Sequence, residues 1–466
     1  MADQVKVAII GAGSIAFSLT ITADLLTYSE FNDVNLSLMD IDQERLASTA
    51  RLVEKAIADN RLHAKLDVTT DRKKAIRDAD YVITSIRSGG MVAYRLDLEI
   101  PAKYGIEQGV GDTLGPGGIF YGLKNASAVV DIAHDIEEES PNALLINYTN
   151  PMAIVSWAVS DLTKVKYVGL CHSVPGTART LSLYAGIPYE ELEYVAAGIN
   201  HMAWFVKLMW KGNDLYPMLK EKLSDPRVYT DPTHPAYNDL VRVEVFKAFG
   251  YYSAEDSNHL SEYLPYFRKN QELLKRYRIL NHKERLELMD RRATRDRESR
   301  DRLEKLPKIE LNRSNEYAAQ IIHAIETKTP TRVYGNVKNH GLISNLPPES
   351  VVELPVLVDG SGIHPTYVGE LPPHLAALNL MNINAQELVV KALKEGSREA
   401  VIEALLLDPL TSSILTIPEI ERMGHEMLEA EAPYLPKLKR IGFPSDWKRT
   451  SAPLVFAELK AWRTSL

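Results

Sequence analysis

The run VKVAII at Val5–Ile10, followed at once by Gly11, Ala12, Gly13 and Ser14 and then the helix-forming stretch ITADLL, constrains this chain more than any other feature. A short β-branched run reads as a buried strand, and the glycines after it permit a tight turn into a helix. Such a turn lets the backbone approach a pyrophosphate, whose charge is favoured by the free N–H groups and dipole at a helix N-terminus. Ala16 stands where the G-x-G-x-x-G pattern has its third glycine, a replacement the pattern permits. The next strand-like run, VNLSLM at Val34–Met39, ends in Asp40, where an acidic side chain binds adenosine ribose hydroxyls. Gly11, Gly13, Ser14 and Asp40 are therefore expected to bind a dinucleotide, NAD in preference to NADP. The competing reading is a βαβ unit with a glycine turn and no nucleotide.

Further strand-like runs, DYVITSI at Asp80–Ile86 and ALLIN at Ala143–Asn147, alternate with helical patterns such as DQERLASTARLVEKAIA, as a doubly wound parallel sheet requires. The expected fold is α/β: a Rossmann-like sheet over residues 1–195, then a mostly helical α+β substrate domain over 196–466. VVELPVLV at Val351–Val358 is a strand of that second part. The mixed-charge run Asn281–Leu306 reads as a solvated helix face or a mobile segment with no binding site, Arg291 and Arg292 being left unassigned.

With 466 residues, 45% of them hydrophobic, the chain can bury a substantial core. Its net charge of −8 leaves no electrostatic footprint for nucleic acid or an anionic membrane. No segment approaches 18 uninterrupted apolar residues, and MADQ leads straight into the first strand without a secretory pattern, so the cytoplasm is the expected compartment. The single cysteine, Cys171, suits a reducing environment.

Three segments fall where loops leave the carboxyl ends of strands, the rim at which open α/β sheets bind ligands: GDTLGPGG (Gly111–Gly118), NYTNP (Asn147–Pro151) and GLCHSVPGT (Gly169–Thr177). Asn147 and Asn150 would present amides to a cofactor or sugar there, although Asn-Pro is also an ordinary turn former. Cys171 ends the strand-like run KYVGLC, His172 follows it, and AGINHMAWF places His201 after Asn200. A thiolate and an imidazole can hold a borderline divalent ion with positions open for substrate oxygens. Isolated Cys and His in apolar runs are more often core residues, so spacing alone leaves the metal open.

Together GAGS, GDTLGPGG, NYTNP, CHSV and GINHMAW resemble glycoside hydrolase family 4, and CHSV with INHMA resembles its melibiase-type α-galactosidase branch. The likeness continues through YGNVKNHGLISNLP (Tyr334–Pro347), VLVDGSGIHP (Val356–Pro365) and LPPHLAALNL (Leu371–Leu380), nearly the whole chain. Members acting on 6-phosphorylated sugars carry Asn or Asp after the cysteine and Pro at the fourth position of that tetrapeptide. His172 and Val174 stand there instead, which implies an unphosphorylated glycoside.

The resemblance implies an exception to the usual two-carboxylate glycosidase scheme. NAD takes hydride from sugar C3, and a divalent metal such as Mn²⁺, on Cys171 and His201, assists loss of the C2 proton. Elimination of the aglycone, addition of water and return of the hydride complete the cycle. Asn147 joins the cofactor-binding residues, and Arg95, Asn150 and Asn200 match substrate-contacting positions. His172 occupies the place of the leaving-group acid; His259 aligns with the C2 base, with Tyr263 and Asp256 close by and a metal-bound hydroxide as the alternative. Asp112 matches a carboxylate assisting that base. Bland readings stand beside these, Asp112 as a turn residue and Arg95 as a surface ion pair. His340 and His364 fall in family-like motifs bordering the site, whereas His323 and His374 read as packed or surface residues. A homodimer or homotetramer is implied. Competing functions are α-galacturonidase, α-glucuronidase or α-glucosidase activity within the family, a 2-hydroxy-acid dehydrogenase, or a non-catalytic NAD sensor.

Overall fold

The computed structural model describes residues 4–439; the end of the expected second domain, 440–466, lies outside the described residues. Six parallel strands form the first half: β1 (Lys6–Ile10), β2 (Asn35–Met39), β3 (Lys65–Thr69), β4 (Tyr81–Thr84), β5 (Leu144–Asn147) and β6 (Lys166–Gly169). Their order β3-β2-β1-β4-β5-β6 is the doubly wound arrangement expected from the sequence. Every residue of YVIT in β4 and LLIN in β5 is buried, because crossover helices cover both faces of a parallel sheet. The strand order reverses between β1 and β4, and the carboxyl ends of strands at such a switch point are where open α/β sheets bind ligands.

The second half extends the same sheet. Strands β7 (Leu192–Ile199), β8 (Met202–Trp210), β9 (Asn213–Asp214), β10 (Thr331–Lys338), β11 (Val351–Asp359) and β12 (Gly362–Pro365) are antiparallel, and the order continues β6-β10-β11-β7-β8-β9 with β12 on β11. The inserted hairpin β10–β11 pairs over eight positions internally. Its two outer seams are thin: β10 meets β6 at Asn336–Gly169, and β11 meets β7 at Glu353–Gly198. One hydrophobic cluster runs through both halves, from Val7 and Ile83 to Val333, Val352 and Leu375.

Helices that position the site are α1 (Ile15–Leu26), α2 (Gln43–Asp59), α3 (Gly90–Lys103), α4 (Gly115–Glu139), α5 (Met152–Leu162), α6 (Ser173–Ala185), α7 (Ser257–Tyr263), α8 (His282–Glu304), α9 (Pro373–Glu395) and α10 (Ile417–Ala430). Two expected loops are shorter than anticipated. GPGG opens α4, and SVPGT opens α6. Proline is tolerated in a first helical turn, where its missing N–H costs nothing. Side chains are excluded at Gly117 and Gly118, where a Cβ would lie 2.8 Å from the Asp97 carbonyl oxygen and 2.4 Å from the Thr113 carbonyl carbon. The charged run is a helix, α8, started by a capping box at Asn281 and Glu284 and burying only Arg285, Leu286 and Arg300. Among the described residues no helix is long and apolar enough to cross a membrane.

Candidate active site

Cys171 lies just beyond β6, and His201 forms the turn from β7 into β8. Cys171 Sγ is 3.4 Å from His201 Nε2, which is 3.6 Å from Glu255 Oε2. All three donor atoms lie within 4.8 Å of one another. His201 and Glu255 have φ of +64° and +70°, a region that costs a side-chain-bearing residue energy and tends to occur at functional sites. Burial, with Glu255 and Glu353 nearby, pushes the Cys171 thiol well above its ordinary range. Burial lowers His201 to about 4, and its Nδ1 has no hydrogen-bond partner among the described residues. A thiol that cannot ionise alone, a neutral imidazole and a carboxylate suit a borderline divalent cation, whose charge offsets the desolvation. The residues therefore fit the expected metal, with Glu255 as a further donor.

His259, on α7, faces three carboxylates: Glu255 at 3.4 Å, Asp256 at 3.2 Å and Asp112 at 3.9 Å. Burial works to lower its pKa, but Glu255, Asp256 and Asp112 outweigh burial and lift it to about 10. Asp256 is the N-cap of α7, accepting from the N–H groups of Asn258 and His259. Tyr263 closes the same helix; burial pushes its hydroxyl well above the ordinary range, and its ring centre is 6.4 Å from that of His201.

The Asp112 turn is held from beneath. Glu262, fully buried, accepts from Val110 N (2.7 Å), Gly111 N (2.9 Å) and Gln108 Nε2 (2.9 Å). From above, Arg285 of α8 reaches Asp112 Oδ2 at 3.5 Å and donates to the Tyr94 hydroxyl at 2.8 Å. Asp112 Oδ1 is buried without a hydrogen-bond partner among the described residues.

The remaining expected residues divide. His172 is exposed at the start of α6, with Nδ1 3.6 Å from Glu316 Oε1. Asn200 is buried, donates to Glu353 Oε2 at 3.3 Å and leaves its Oδ1 without a partner among the described residues. Burial raises Glu353 to about 8. Asn150 forms the cis peptide with Pro151, and its carbonyl accepts from Asn125 Nδ2. Asn147, expected to face a cofactor, instead holds its own loop together: its Oδ1 accepts from Thr84 Oγ1 and Thr149 N, and its Nδ2 donates to Thr149 O. Arg95 forks both oxygens of Asp290 at 2.8 Å, the ion-pair reading. His340 does not border this rim; it lines a cavity of about 1150 Å³ with Tyr81, Lys166 and Lys338, at the amino ends of β4 and β6. His364 sits in an exposed hairpin with Asp359 and Ser361. His323 stacks half-buried on Tyr28, and His374 lies exposed with its ring parallel to that of Phe249, a packed and a surface residue respectively.

The glycine turn is built as an anion cradle. Gly11 has φ of +93° and passes so close to Ser85 that a Cβ would lie 2.2 Å from its carbonyl oxygen. Gly13 N donates to Asp40 Oδ2 at 2.7 Å, and a Cβ there would meet the same oxygen at 2.7 Å. Ser14 occupies the N-cap of α1 without a side-chain capping bond, so the first-turn N–H groups are left for a ligand.

Glu255, Glu262, Glu353 and Arg285 escaped the sequence reading. Glu255 adjoins Asp256 in SAEDSNHLSEYLP, but acids are common in loops; Arg285 sits in a run whose composition signals only solvent.

Residues 6–186 match the family described as "Family 4 glycosyl hydrolase", and residues 196–411 match "Family 4 glycosyl hydrolase C-terminal domain". An α-galactosidase of Bacillus subtilis is 38% identical over 441 residues, spanning 93% of this chain and 100% of its own. One of Rhizobium meliloti is 38% identical over 445 residues, 93% and 89% respectively. An α-galacturonidase of Lachnoclostridium phytofermentans is 30% identical, covering 93% of this chain and 97% of its own. Among solved structures, a 6-phospho-α-glucosidase from gut microorganisms, in complex with NAD and Mn²⁺, is 24% identical with a TM-score of 0.79, covering 94% of this chain and 100% of that one. A Cryptosporidium parvum malate dehydrogenase shares fold alone, at 15% identity, with a TM-score of 0.51 over 84% of this chain and 99% of that one. Two family profiles that together take in most of the chain, and relatives alike over nearly their full lengths, agree with the site: the chain belongs to glycosyl hydrolase family 4.

Proposed function

We propose that this family 4 glycosidase is an α-galactosidase dependent on NAD and a divalent metal such as Mn²⁺, acting on unphosphorylated galactosides. The observation that carries the reading is the Cys171–His201–Glu255 cluster, on the same carboxyl edge of the sheet as the Gly11–Ser14 turn. The two α-galactosidases at 38% identity supply the sugar. Residues 1–195 serve the dinucleotide and 196–466 the sugar, with Cys171 contributing across that division.

When bound, NAD supplies a hydride acceptor for the sugar and the cation supplies Lewis-acid polarisation of its oxygens. The Gly11–Ser14 turn, whose glycines let the backbone pass close, sets the pyrophosphate against the first-turn N–H groups of α1, and Asp40 takes the ribose. Cys171, His201 and Glu255 hold the cation. His259 and Asp112 move the proton at sugar C2. Glu255 is the largest charge raising the His259 pKa; with Glu255 engaged as a cation ligand, that attraction would fall and His259 would move toward the proton-accepting form. His172, exposed at the mouth, is placed to donate a proton to the departing aglycone oxygen. The unpaired Asn200 amide oxygen accepts from a sugar hydroxyl. Tyr263, its hydroxyl pushed up by burial, walls the site beside His201. A thiol that must stay reduced to hold metal fits a cytoplasmic enzyme, and we propose a homodimer or homotetramer.

The test is release of p-nitrophenol from the α-galactoside, with the α-glucoside and α-galacturonide in parallel, with and without NAD and Mn²⁺ under reducing conditions. Turnover of the galactoside only with both additions is expected. Preference for the galacturonide would keep the site and move the sugar, in line with the 30% identical relative. NADH accumulating on a hydroxy acid without glycoside cleavage would overturn the reading.

A further inference from the structure

Helix α8 touches the rest of the molecule at two places that matter to the site. Near its start, Arg285 binds Asp112. Near its end, Arg300, itself buried, donates through Nη2 to the carbonyl of Gly13 at 2.8 Å and through Nη1 to the carbonyl of Arg45 at 3.3 Å. Fifteen residues of helix separate the two arginines, about 22 Å along the axis. Between them Arg291, Arg292, Arg295 and Arg297 are exposed.

The Gly13 peptide is thereby gripped on both sides: Asp40 takes its N–H, and Arg45 Nε (3.2 Å) joins Arg300 on its carbonyl. In a trans peptide the carbonyl and the following N–H point in opposite directions. Fixing the Gly13 carbonyl on the arginines therefore turns the Ser14 N–H away from them, toward the Gly11 carbonyl at 3.4 Å, and so sets the turn that opens the N-terminus of α1, where an anion would lie. Asp296, one helical turn back, accepts from Arg300 at 3.0 Å and holds its guanidinium on that carbonyl.

We propose that Arg300 is a positioning residue for the dinucleotide pyrophosphate, and that α8 is a strut tying the nucleotide turn to the Asp112 loop. This rests on the reading of the Gly11–Ser14 turn as the NAD site. Arg300→Met weakens NAD binding about tenfold in equilibrium dialysis of the full chain, with Mn²⁺ affinity unchanged. NAD slows tryptic cleavage at Arg291–Arg297 in the native protein and does not in the variant. Arg300→Lys recovers part of the affinity. NAD affinity within twofold of native in Arg300→Met, or a parallel loss of Mn²⁺ affinity, overturns the proposal. If Arg300→Met fails to fold, Arg300→Gln carries the same test: weaker NAD binding supports the strut, and native binding overturns it. A native protein that binds no NAD removes the turn reading itself, an outcome distinct from the others.

Discussion

At the scale of single residues the site is a contest between burial and charge. Cys171, His201 and Glu255 are costly to keep without a cation: an un-ionised thiol, an imidazole with an orphan Nδ1, and two left-handed backbone positions at roughly 1–3 kcal/mol each. Cys171→Ser and Glu255→Gln, each of which replaces an anionic donor by a neutral one, are expected to weaken Mn²⁺ binding by about tenfold or more in isothermal titration. Unaltered binding in both would remove the metal assignment. His259 offers a metal-free measurement. Its folded pKa, about 10, lies above the 6.5 of the unfolded chain, so its ion pairs contribute fully below about pH 6.5 and are lost as pH rises toward 10. The thermal midpoint of chelated protein should fall across that window, and His259→Asn should flatten the fall. Cys171, His201, Asp112 and His259 were legible because each sits in a motif quoted from the sequence. Glu353 was not: its meaning comes from Asn200 and the thiol packed beside it, which no local pattern announces.

Among elements, the short helix α7 does two jobs with opposite ends. Asp256 and His259 face the metal cluster, while Glu262 reaches beneath to the Val110–Gly111 backbone. Two successive N–H groups bonded to one carboxylate fix the turn that presents Asp112. Glu262→Gln keeps the shape but replaces one charged acceptor with a donor, and is expected to cost about 2 kcal/mol of stability in urea denaturation. It should lower kcat about tenfold while NAD and Mn²⁺ affinities hold; a variant with native kcat would deny α7 this role. The strands β1, β2, β5 and β11 were readable to within a residue or two, since β-branched runs bounded by turns leave little choice. The helical starts at Gly115 and Ser173 were hidden by Gly and Pro, which serve equally as loop formers and as tightly packed first turns. Helix α8 shows the converse: its mixed charge announced a solvated helix or a mobile segment, but its two buried arginines look like any others in a run of charge.

Over the whole molecule, Lys124 of α4 ties α3 and the end of α10 together, pairing with Asp97 at 2.6 Å and with Glu431, all three fully buried. Burial and the neighbouring Glu431 push Asp97 up, and burial raises Glu431, so the pair leans on the single ammonium for its charge balance. Lys124→Met leaves this pair without its cation and is expected to destabilise the protein by about 3–5 kcal/mol, read from denaturant midpoints; a neutral outcome would show that the pair becomes fully protonated at no cost. The joining of both halves into one sheet was not legible, because the Asn336–Gly169 and Glu353–Gly198 pairs bring together residues more than 150 positions apart. Those two lightly laced seams have a consequence beyond catalysis. Cys171 stands on one side of the inserted hairpin and His201 on the other, so on the proposed reading the ion is also a rivet through the weakest line of the sheet. A cell short of that ion would not keep idle enzyme in store; the unriveted seam would open to proteases, and the protein's lifetime would follow the metal supply.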